Sequence, residues 1–184
     1  MILLVNICKE ELHSLEFVEP IERILENLKI DFFVKRYKEI SEDDLKKADK
    51  IIICGTSLKD NQFSGPQSLK YFSWIKNFNK PLLGICGGMQ VIGLIFGGRL
   101  KQQKEIGFFF EKFKNEFLGL KGELEVYHLH NYFIDFGKLR EFEIFSINDK
   151  HVVQAVKYEE KNIYGVLFHP EVRQKKMIEN FCDL

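Results

Sequence analysis

Residues 82–88 read Leu82-Leu83-Gly84-Ile85-Cys86-Gly87-Gly88, and this stretch decides the fold. An apolar run ends on a cysteine that stands among glycines, and a helix-like segment follows at once. This pattern is typical of a strand–turn–helix elbow that carries a nucleophile at its tip. The glycines allow the tight turn, and the N-terminus of the helix directs N–H groups at the sulfur. A buried cysteine at the end of a strand accounts for the same residues equally well.

The composition is that of an ordinary globular protein. The chain has 184 residues, of which 45% are hydrophobic and 29% charged, enough to bury a sizeable core. Its 27 Lys and Arg balance 27 Asp and Glu, so charge gives no reason to expect binding to nucleic acid or to membranes. The run Met1 to Val5 lacks the basic lead-in of a signal peptide, and the four cysteines lack metal-like spacing. We therefore expect a single domain over residues 1–184, in the cytoplasm, with reduced thiols.

Strand and helix signals alternate through the first half of the chain. The predicted strands are Ile2–Cys8, Asp31–Tyr37, Lys50–Gly55 and Leu82–Ile85, and the predicted helices are Phe17–Leu28, a segment capped by Ser41, and Pro66 to about Phe78. Such alternation predicts βαβ units, and hence a mostly parallel sheet with helices on both faces. Reactive groups gather beyond the carboxyl ends of parallel strands, where both Gly55 and Cys86 fall.

The second half of the chain is dominated by strand signals. The predicted strands are Phe108–Phe113, Glu123–His130, Phe133–Phe136, Phe142–Ile147, Val152–Tyr158 and Ile163–His169, with a short helix around Lys175–Cys182 at the end. Several of these strands are expected to be antiparallel. We therefore predict an α/β fold in three layers, with antiparallel strands added at one edge of the sheet. The run Phe108-Phe109-Phe110 fits either a core strand or a surface for a partner, and we expect the core.

A cysteine nucleophile needs a base that keeps its thiolate charged, and a group that orients the base. Among the five histidines, His169 stands out because it ends an apolar strand-like run and is followed by Pro170 and Glu171. Residues two apart in an extended segment point to the same side, so Glu171 is expected to reach one ring nitrogen of His169. Taken alone, this motif also fits an ordinary strand end followed by a turn.

Together, the two motifs resemble the two signatures of class I, or triad, glutamine amidotransferases. The signatures are Gly84-Ile85-Cys86-Gly87-Gly88-Met89-Gln90 and Phe168-His169-Pro170-Glu171, in the family's order and at its separation. Other segments that match the family are Ile51–Ser57, Glu105–Phe108, His130–Tyr132 and Gln154–Val156. Glu105–Phe108 is similar to the GMP-synthetase branch and its stand-alone relatives. The resemblance covers essentially the whole chain and implies a flavodoxin-like fold.

The resemblance implies a glutaminase in which Cys86 forms a γ-glutamyl thioester. His169 would act as acid and base, and Glu171 would orient it and stabilise its charged form. The backbone N–H groups of Gly55 and Gly87 would bind the oxyanion. The residues implied to hold the glutamine are Gln90 and the backbone of Asn131 and Tyr132.

Two departures from the family pattern stand near these residues. Thr56 replaces the proline that usually follows the oxyanion glycine, which is expected to loosen the Gly55 loop. Asn131 and Tyr132 follow His130 where the GMP-synthetase branch usually has Gly-Asp. The second departure leaves the branch open.

The resemblance implies that the ammonia is used by a separate, ATP-dependent synthetase subunit, because no Walker-type loop occurs in this sequence. We expect no cofactor and no metal, since His128 and His130 lie two residues apart without further ligands. Two alternatives stay open. One is a free-standing hydrolase of another γ-glutamyl compound, and the other is a non-catalytic regulatory protein with the same fold.

Overall fold

A computed structural model describes all 184 residues, which form a seven-stranded sheet and a separate two-stranded hairpin. The strands are β1 (Ile2–Asn6), β2 (Phe32–Arg36), β3 (Lys50–Ile53), β4 (Leu82–Ile85), β5 (Arg99–Phe117), β6 (Leu120–Asp135), β7 (Phe142–Ile147), β8 (Val153–Tyr158) and β9 (Ile163–Val166). The α-helices are α1 (Glu11–Phe17), α2 (Glu19–Asn27), α3 (Glu42–Lys47), α4 (Pro66–Leu69), α5 (Gly87–Ile95) and α6 (Lys175–Cys182), and the 3₁₀ helices are Gln62–Ser64 and Lys70–Asn77. None of the helices has the length and apolar character that crossing a bilayer requires.

The large sheet has the strand order β2-β1-β3-β4-β9-β8-β7. The first five strands of this order are parallel, and β8 and β7 extend the sheet as antiparallel strands at one edge. The predicted fold class, a mostly parallel sheet with antiparallel strands in the second half, is confirmed. Because β4 and β9 are adjacent and parallel, the residues that follow them meet at the same edge of the sheet.

The sheet is buried on both faces, which gives the structure its three layers. In β1, Leu4 belongs to a cluster of 26 buried residues on one face, and Leu3 and Val5 to a cluster of 25 on the other. Ile21 of α2 packs in the first cluster and Val91 of α5 in the second. Such two-sided burial explains why the parallel strands read as continuous apolar runs rather than as alternating ones.

The hairpin of β5 and β6 replaces the three separate strands predicted between residues 108 and 136. The prediction of a core position for the phenylalanine run is wrong, because Phe108 is 58% and Phe110 69% exposed. The charged residues Glu105 and Glu111 instead point inward and are buried. In this part of β5 the usual pattern of apolar residues inside and polar residues outside is therefore inverted.

The helix boundaries differ from the prediction in two places. The predicted helix Phe17–Leu28 corresponds to α2, and α1, which was not predicted, precedes it and meets it at Val18 just before Pro20. The helix predicted from Pro66 ends as an α-helix after Leu69 and continues as a 3₁₀ helix. The predicted cap is confirmed, since the Ser41 side chain accepts a hydrogen bond from the backbone of Asp44 in a capping box.

Close packing of α5 against the sheet depends on Gly88. A Cβ atom built on Gly88 would lie 2.3 Å from the carbonyl oxygen of Ile53, a backbone atom of β3. We expect Gly88→Ala to lower the free energy of unfolding by about 3 kcal/mol, or to prevent folding, because neither backbone can move without breaking the ladder. Urea unfolding followed by circular dichroism measures the loss.

Gly65→Ala is the matched control, because the nearest atom to a Cβ built on Gly65 is 3.6 Å away. The control should change the free energy of unfolding by less than about 0.5 kcal/mol. Equal stability of the two variants would contradict the packing described for Gly88.

Candidate active site

The elbow predicted from the sequence is present at Cys86. β4 ends at Ile85, α5 begins at Gly87, and Cys86 between them has φ 49° and ψ −102°. This conformation is strained for a residue with a Cβ atom, and such strain is typical of functional turns. The Cys86 N–H donates to the carbonyl of Val166 at 2.7 Å, which fixes the turn to β9.

His169 and Glu171 form a buried hydrogen-bonded pair beside this elbow. His169 Nδ1 lies 2.7 Å from Glu171 Oε1, and both side chains are almost fully buried. The backbone N–H of His169 donates to the carbonyl of Tyr127 at 2.8 Å, so the hairpin holds the segment that carries the histidine. The other ring nitrogen of His169, Nε2, has no hydrogen-bond partner in the protein and is therefore available for proton transfer.

The charges around His169 favour its protonated form. Burial alone lowers the pKa of the His169 imidazole, but the carboxylate of Glu171 and the sulfur of Cys86 outweigh that effect. The pKa of His169 is therefore raised well above its ordinary value. A histidine held in this way as an imidazolium can stabilise a neighbouring thiolate.

Gly55 lies directly against both reactive side chains. A Cβ atom built on Gly55 would lie 2.6 Å from Cε1 of His169 and 3.6 Å from Cβ of Cys86. Only a residue without a side chain fits there. The backbone N–H groups of Gly55 and Gly87 donate to no other group of the protein. They are thus available as donors next to the cysteine.

A pocket of about 370 Å³ opens over Cys86. Its lining includes Cys86, Gly87, Gln90, Leu129, Asn131 and Tyr132. The structure therefore brings together at one pocket the predicted nucleophile, one of the two glycines predicted to bind the oxyanion and the three residues implied to hold glutamine. Gly55, His169 and Glu171 lie behind the cysteine rather than in this lining.

The side chains of two residues that were predicted to bind glutamine, Gln90 through its side chain and Asn131 through its backbone, also connect the pocket walls. Gln90 Nε2 donates to the carbonyl of Tyr132 at 2.8 Å, and Asn131 Nδ2 donates to the carbonyl of Leu58 at 3.3 Å. α5, the hairpin and the loop after β3 are joined by these two bonds. Because its Nε2 is already bonded to Tyr132, Gln90 shapes the pocket as well as lining it.

The loop that carries Gly55 is anchored by a network that the sequence did not reveal. The Thr56 hydroxyl donates to Asp60 Oδ2 at 2.9 Å, and the same oxygen accepts from the backbone N–H of Lys9 and lies 2.7 Å from His13 Nδ1. Burial alone raises the pKa of Asp60. The hydrogen bonds lower this pKa by more than burial raises it, so the net shift of the pKa is downward. The expectation that Thr56 loosens this loop is therefore wrong, because its hydroxyl provides an anchor that a proline lacks.

A second buried network lies on the inner face of the hairpin. His130 Nε2 lies 3.1 Å from Glu105 Oε2, and His128 Nε2 lies 3.2 Å from Glu111 Oε1, with all four side chains buried. Amide groups of Gln154 and Asn148 also donate to Glu105, at 2.9 and 2.8 Å.

The prediction that His128 and His130 lack further ligands overlooked Glu105. Donor atoms of these three residues lie within 4.8 Å of one another, so a third candidate ligand is present. The strands explain why it was missed, since Glu105 stands opposite His130 only in the folded hairpin. The oxygens of Glu105 already accept from two side-chain amides, and the arrangement is that of a hydrogen-bonded carboxylate.

Hydrogen bonding keeps Glu105 ionised in spite of its burial. Burial alone raises the pKa of this carboxyl, but bonds from His130 and Gln154 lower it to about 2. A lowered pKa in the folded state stabilises the fold above the ordinary pKa of 4.5, and this stabilisation is lost as the pH falls towards about 2.

We expect Glu105→Gln to lower the free energy of unfolding at neutral pH by about 2–3 kcal/mol, because it removes that carboxylate. The difference from the wild type should shrink as the pH falls below 4.5. Urea unfolding at several pH values measures it. Glu116→Gln, an exposed position on the same strand, is the control and should have little effect. A difference that stays constant with pH would contradict the role of Glu105.

The other three cysteines are also buried. Burial raises the pKa of the thiols of Cys8 and Cys54, and it raises the pKa of Cys182 to about 11. All four cysteines are free. Those three thiols are therefore protonated at neutral pH.

An elbow that ends on a cysteine, a buried histidine–carboxylate pair and free backbone N–H groups at one edge of a parallel sheet are typical of enzymes that use a nucleophile–histidine–acid triad. The family model of class-I glutamine amidotransferases matches residues 13–183. The chain belongs to this family of enzymes, and the resemblance inferred from its two motifs is confirmed.

Several relatives within the family are similar to this chain. A subunit of the glutamine-hydrolysing GMP synthase of Methanosphaera stadtmanae is 38% identical over 58% of this chain and 62% of that protein. The corresponding GMP synthase subunit of Pyrococcus furiosus is 29% identical over 92% of this chain and 93% of that protein. Imidazole glycerol phosphate synthase subunit HisH 2 of Campylobacter jejuni is 33% identical over 72% of this chain and 76% of that protein. The first of these matches spans less than two thirds of its relative's length.

Solved structures support the fold. A Thermoplasma acidophilum protein described as a candidate GMP synthase subunit superposes with a TM-score of 0.85 and 24% identity, over 99% of this chain and 92% of that one. A glutamine amidotransferase of Thermotoga maritima gives a TM-score of 0.72 and 22% identity, over 99% of this chain and 82% of that one.

Proposed function

We propose that this chain is the glutaminase subunit of a two-subunit synthetase, and that it hydrolyses L-glutamine through a γ-glutamyl thioester on Cys86. The observation that carries the proposal is the meeting of Cys86, the His169–Glu171 pair and Gly55 at the carboxyl edge of the sheet. Membership of the class-I glutamine amidotransferase family supports the substrate.

In the first half of the reaction, the Cys86 thiolate attacks the side-chain amide carbon of glutamine. The carbonyl electrons move to the oxygen, and the N–H groups of Gly55 and Gly87 stabilise the oxyanion. As the intermediate collapses, the C–N bond breaks and His169 Nε2 gives its proton to the leaving amine. Ammonia departs, and the γ-glutamyl group remains as a thioester on the sulfur.

In the second half, His169 acts as a base. Its Nε2 takes a proton from a water molecule, and the resulting hydroxide attacks the thioester carbon. Collapse of this second intermediate releases glutamate, restores the thiolate of Cys86 and leaves His169 protonated again. Glu171 accepts from Nδ1–H throughout, which keeps the ring oriented and stabilises its positive charge.

We assign the binding of glutamine to the pocket above Cys86. Gln90 and the backbone groups of Asn131 and Tyr132 would hold the α-carboxylate and α-amino groups, which leaves the amide facing the sulfur. This assignment is supported by the position of all three residues in the pocket lining.

The partner we propose is a separate ATP-dependent synthetase subunit of the GMP-forming kind. Support comes from the names of two relatives, each of which is called one subunit of a GMP synthase, a designation that implies a further subunit. Ammonia released at Cys86 would serve as the nitrogen source for that further subunit.

The mechanism is tested by labelling the protein with a diazoketone or chloroketone analogue of glutamine. We expect one equivalent of label on Cys86, and a loss of glutaminase activity of about 10³-fold or more in Cys86→Ala, because the covalent route disappears. Peptide mass spectrometry locates the label.

Cys182→Ser is the matched control, because Cys182 is free, is buried and has a raised pKa. It should label and turn over like the wild type. Labelling that survives Cys86→Ala would overturn the mechanism. Rapid turnover of a γ-glutamyl peptide in preference to glutamine, with no partner present, would instead favour a free-standing γ-glutamyl hydrolase.

A further inference from the structure

The outer face of the hairpin carries an exposed apolar surface, which we call the outer strip. It consists of Ile106, Phe108 and Phe110 on β5, whose side chains are 43%, 58% and 69% exposed. Across the hairpin, Leu129 stands opposite Ile106 and Tyr127 opposite Phe108. The two half-buried residues of β6 extend the strip to the second strand.

The outer strip does not serve the folding of this chain. The core side of β5 carries Glu105, Phe109 and Glu111, whereas Ile106, Phe108 and Phe110 face water. Contiguous apolar surface that a protein leaves exposed usually marks an interaction site.

The strip is continuous with the mouth of the proposed active site. The carbonyl oxygen of Leu129 lies 3.6 Å from Cys86 Sγ, and Leu129 also lines the pocket. The ring of Tyr127 lies 6.4 Å from the ring of His169 and 5.1 Å from that of Phe108. A partner protein bound to the strip would therefore also cover the opening of the pocket that leads to Cys86.

We propose that the outer strip is the docking surface for the synthetase subunit that receives the ammonia, an inference that rests on the proposed function. Ammonia that escapes into neutral water is protonated, and ammonium is not a nucleophile. The acceptor must therefore meet the glutaminase at its pocket mouth through a contact that excludes water. An apolar strip that begins at Leu129 supplies that contact.

The surroundings of the strip indicate the chemistry of the partner surface. The exposed Lys104 and Lys112 flank the strip along β5. Glu125 stands opposite Phe110 and Glu123 opposite Lys112, so the rim of the strip carries both signs of charge. The matching surface of the synthetase should therefore be an apolar patch whose rim also carries both signs, because opposite charges at a rim set the register of an interface.

The test uses Phe110→Lys and the double variant Ile106→Lys/Phe110→Lys. A lysine at position 110 would face Glu125 across the hairpin, so the hairpin should tolerate it. Leu28→Lys is the matched control, since Leu28 is an exposed leucine. Leu28 precedes β2 and so lies near the amino ends of the parallel strands, whereas Cys86 lies at their carboxyl ends. Circular dichroism melting checks that all variants fold.

Three rates are compared for each protein. They are the glutaminase rate of the chain alone, GMP formation with glutamine and the synthetase subunit of the same organism, and GMP formation with ammonium chloride and that synthetase. We expect the glutaminase rate of the strip variants to stay within twofold of the wild type, and GMP formation with ammonium chloride to be unchanged. GMP formation with glutamine should fall at least tenfold in these variants. The Leu28→Lys control should match the wild type in all three.

The outcomes separate this inference from the proposed function. If the wild type drives glutamine-dependent GMP formation and the strip variants equal it, the docking surface is wrong while the proposed function stands. If the wild type itself fails to drive GMP formation, the proposed function fails and the docking surface falls with it. Sedimentation that reveals a dimer of this chain, abolished by Phe110→Lys with no loss of coupling, would assign the strip to a second copy and overturn the proposal.

Discussion

The buried hydrogen bond between Glu171 and His169 is the constraint on which the proposed chemistry depends. A carboxylate this deep in the protein is costly unless it is paired, and here its partner is an imidazole whose charged form is also favoured by the sulfur of Cys86. The pair places a positive charge beside the sulfur. Its position is fixed because β9 lies next to β4, which brings both reactive segments to one edge of the sheet.

The sequence predicted the parts of this arrangement that depend on local pattern. The glycines around Cys86 predict a tight elbow, and the spacing of His169 and Glu171 predicts side chains on one side of an extended segment. The alternation of apolar runs with helical segments predicts a parallel sheet. These predictions succeed because each depends on residues that are close together in the chain.

The parts that were missed depend on residues far apart in the chain. Asp60, which anchors Thr56, is held in place by His13 and by the backbone of Lys9 near the start of the chain, and Glu105 meets His130 only across the hairpin. The position of the phenylalanine run was mispredicted for the same reason. Hydrophobicity alone predicts that Phe108 and Phe110 lie in the core. In the structure, the buried residues Glu105 and Glu111 occupy the inner face of β5 instead.

The central claim, that Glu171 and Cys86 hold His169 as an imidazolium, can be measured directly by nitrogen-15 NMR of the histidine rings. We predict that His169 stays protonated well above pH 6.5, its ordinary pKa, and that Glu171→Gln lowers the midpoint of its titration. A wild-type His169 that titrates at or below 6.5, or whose midpoint is unchanged by Glu171→Gln, would contradict this claim.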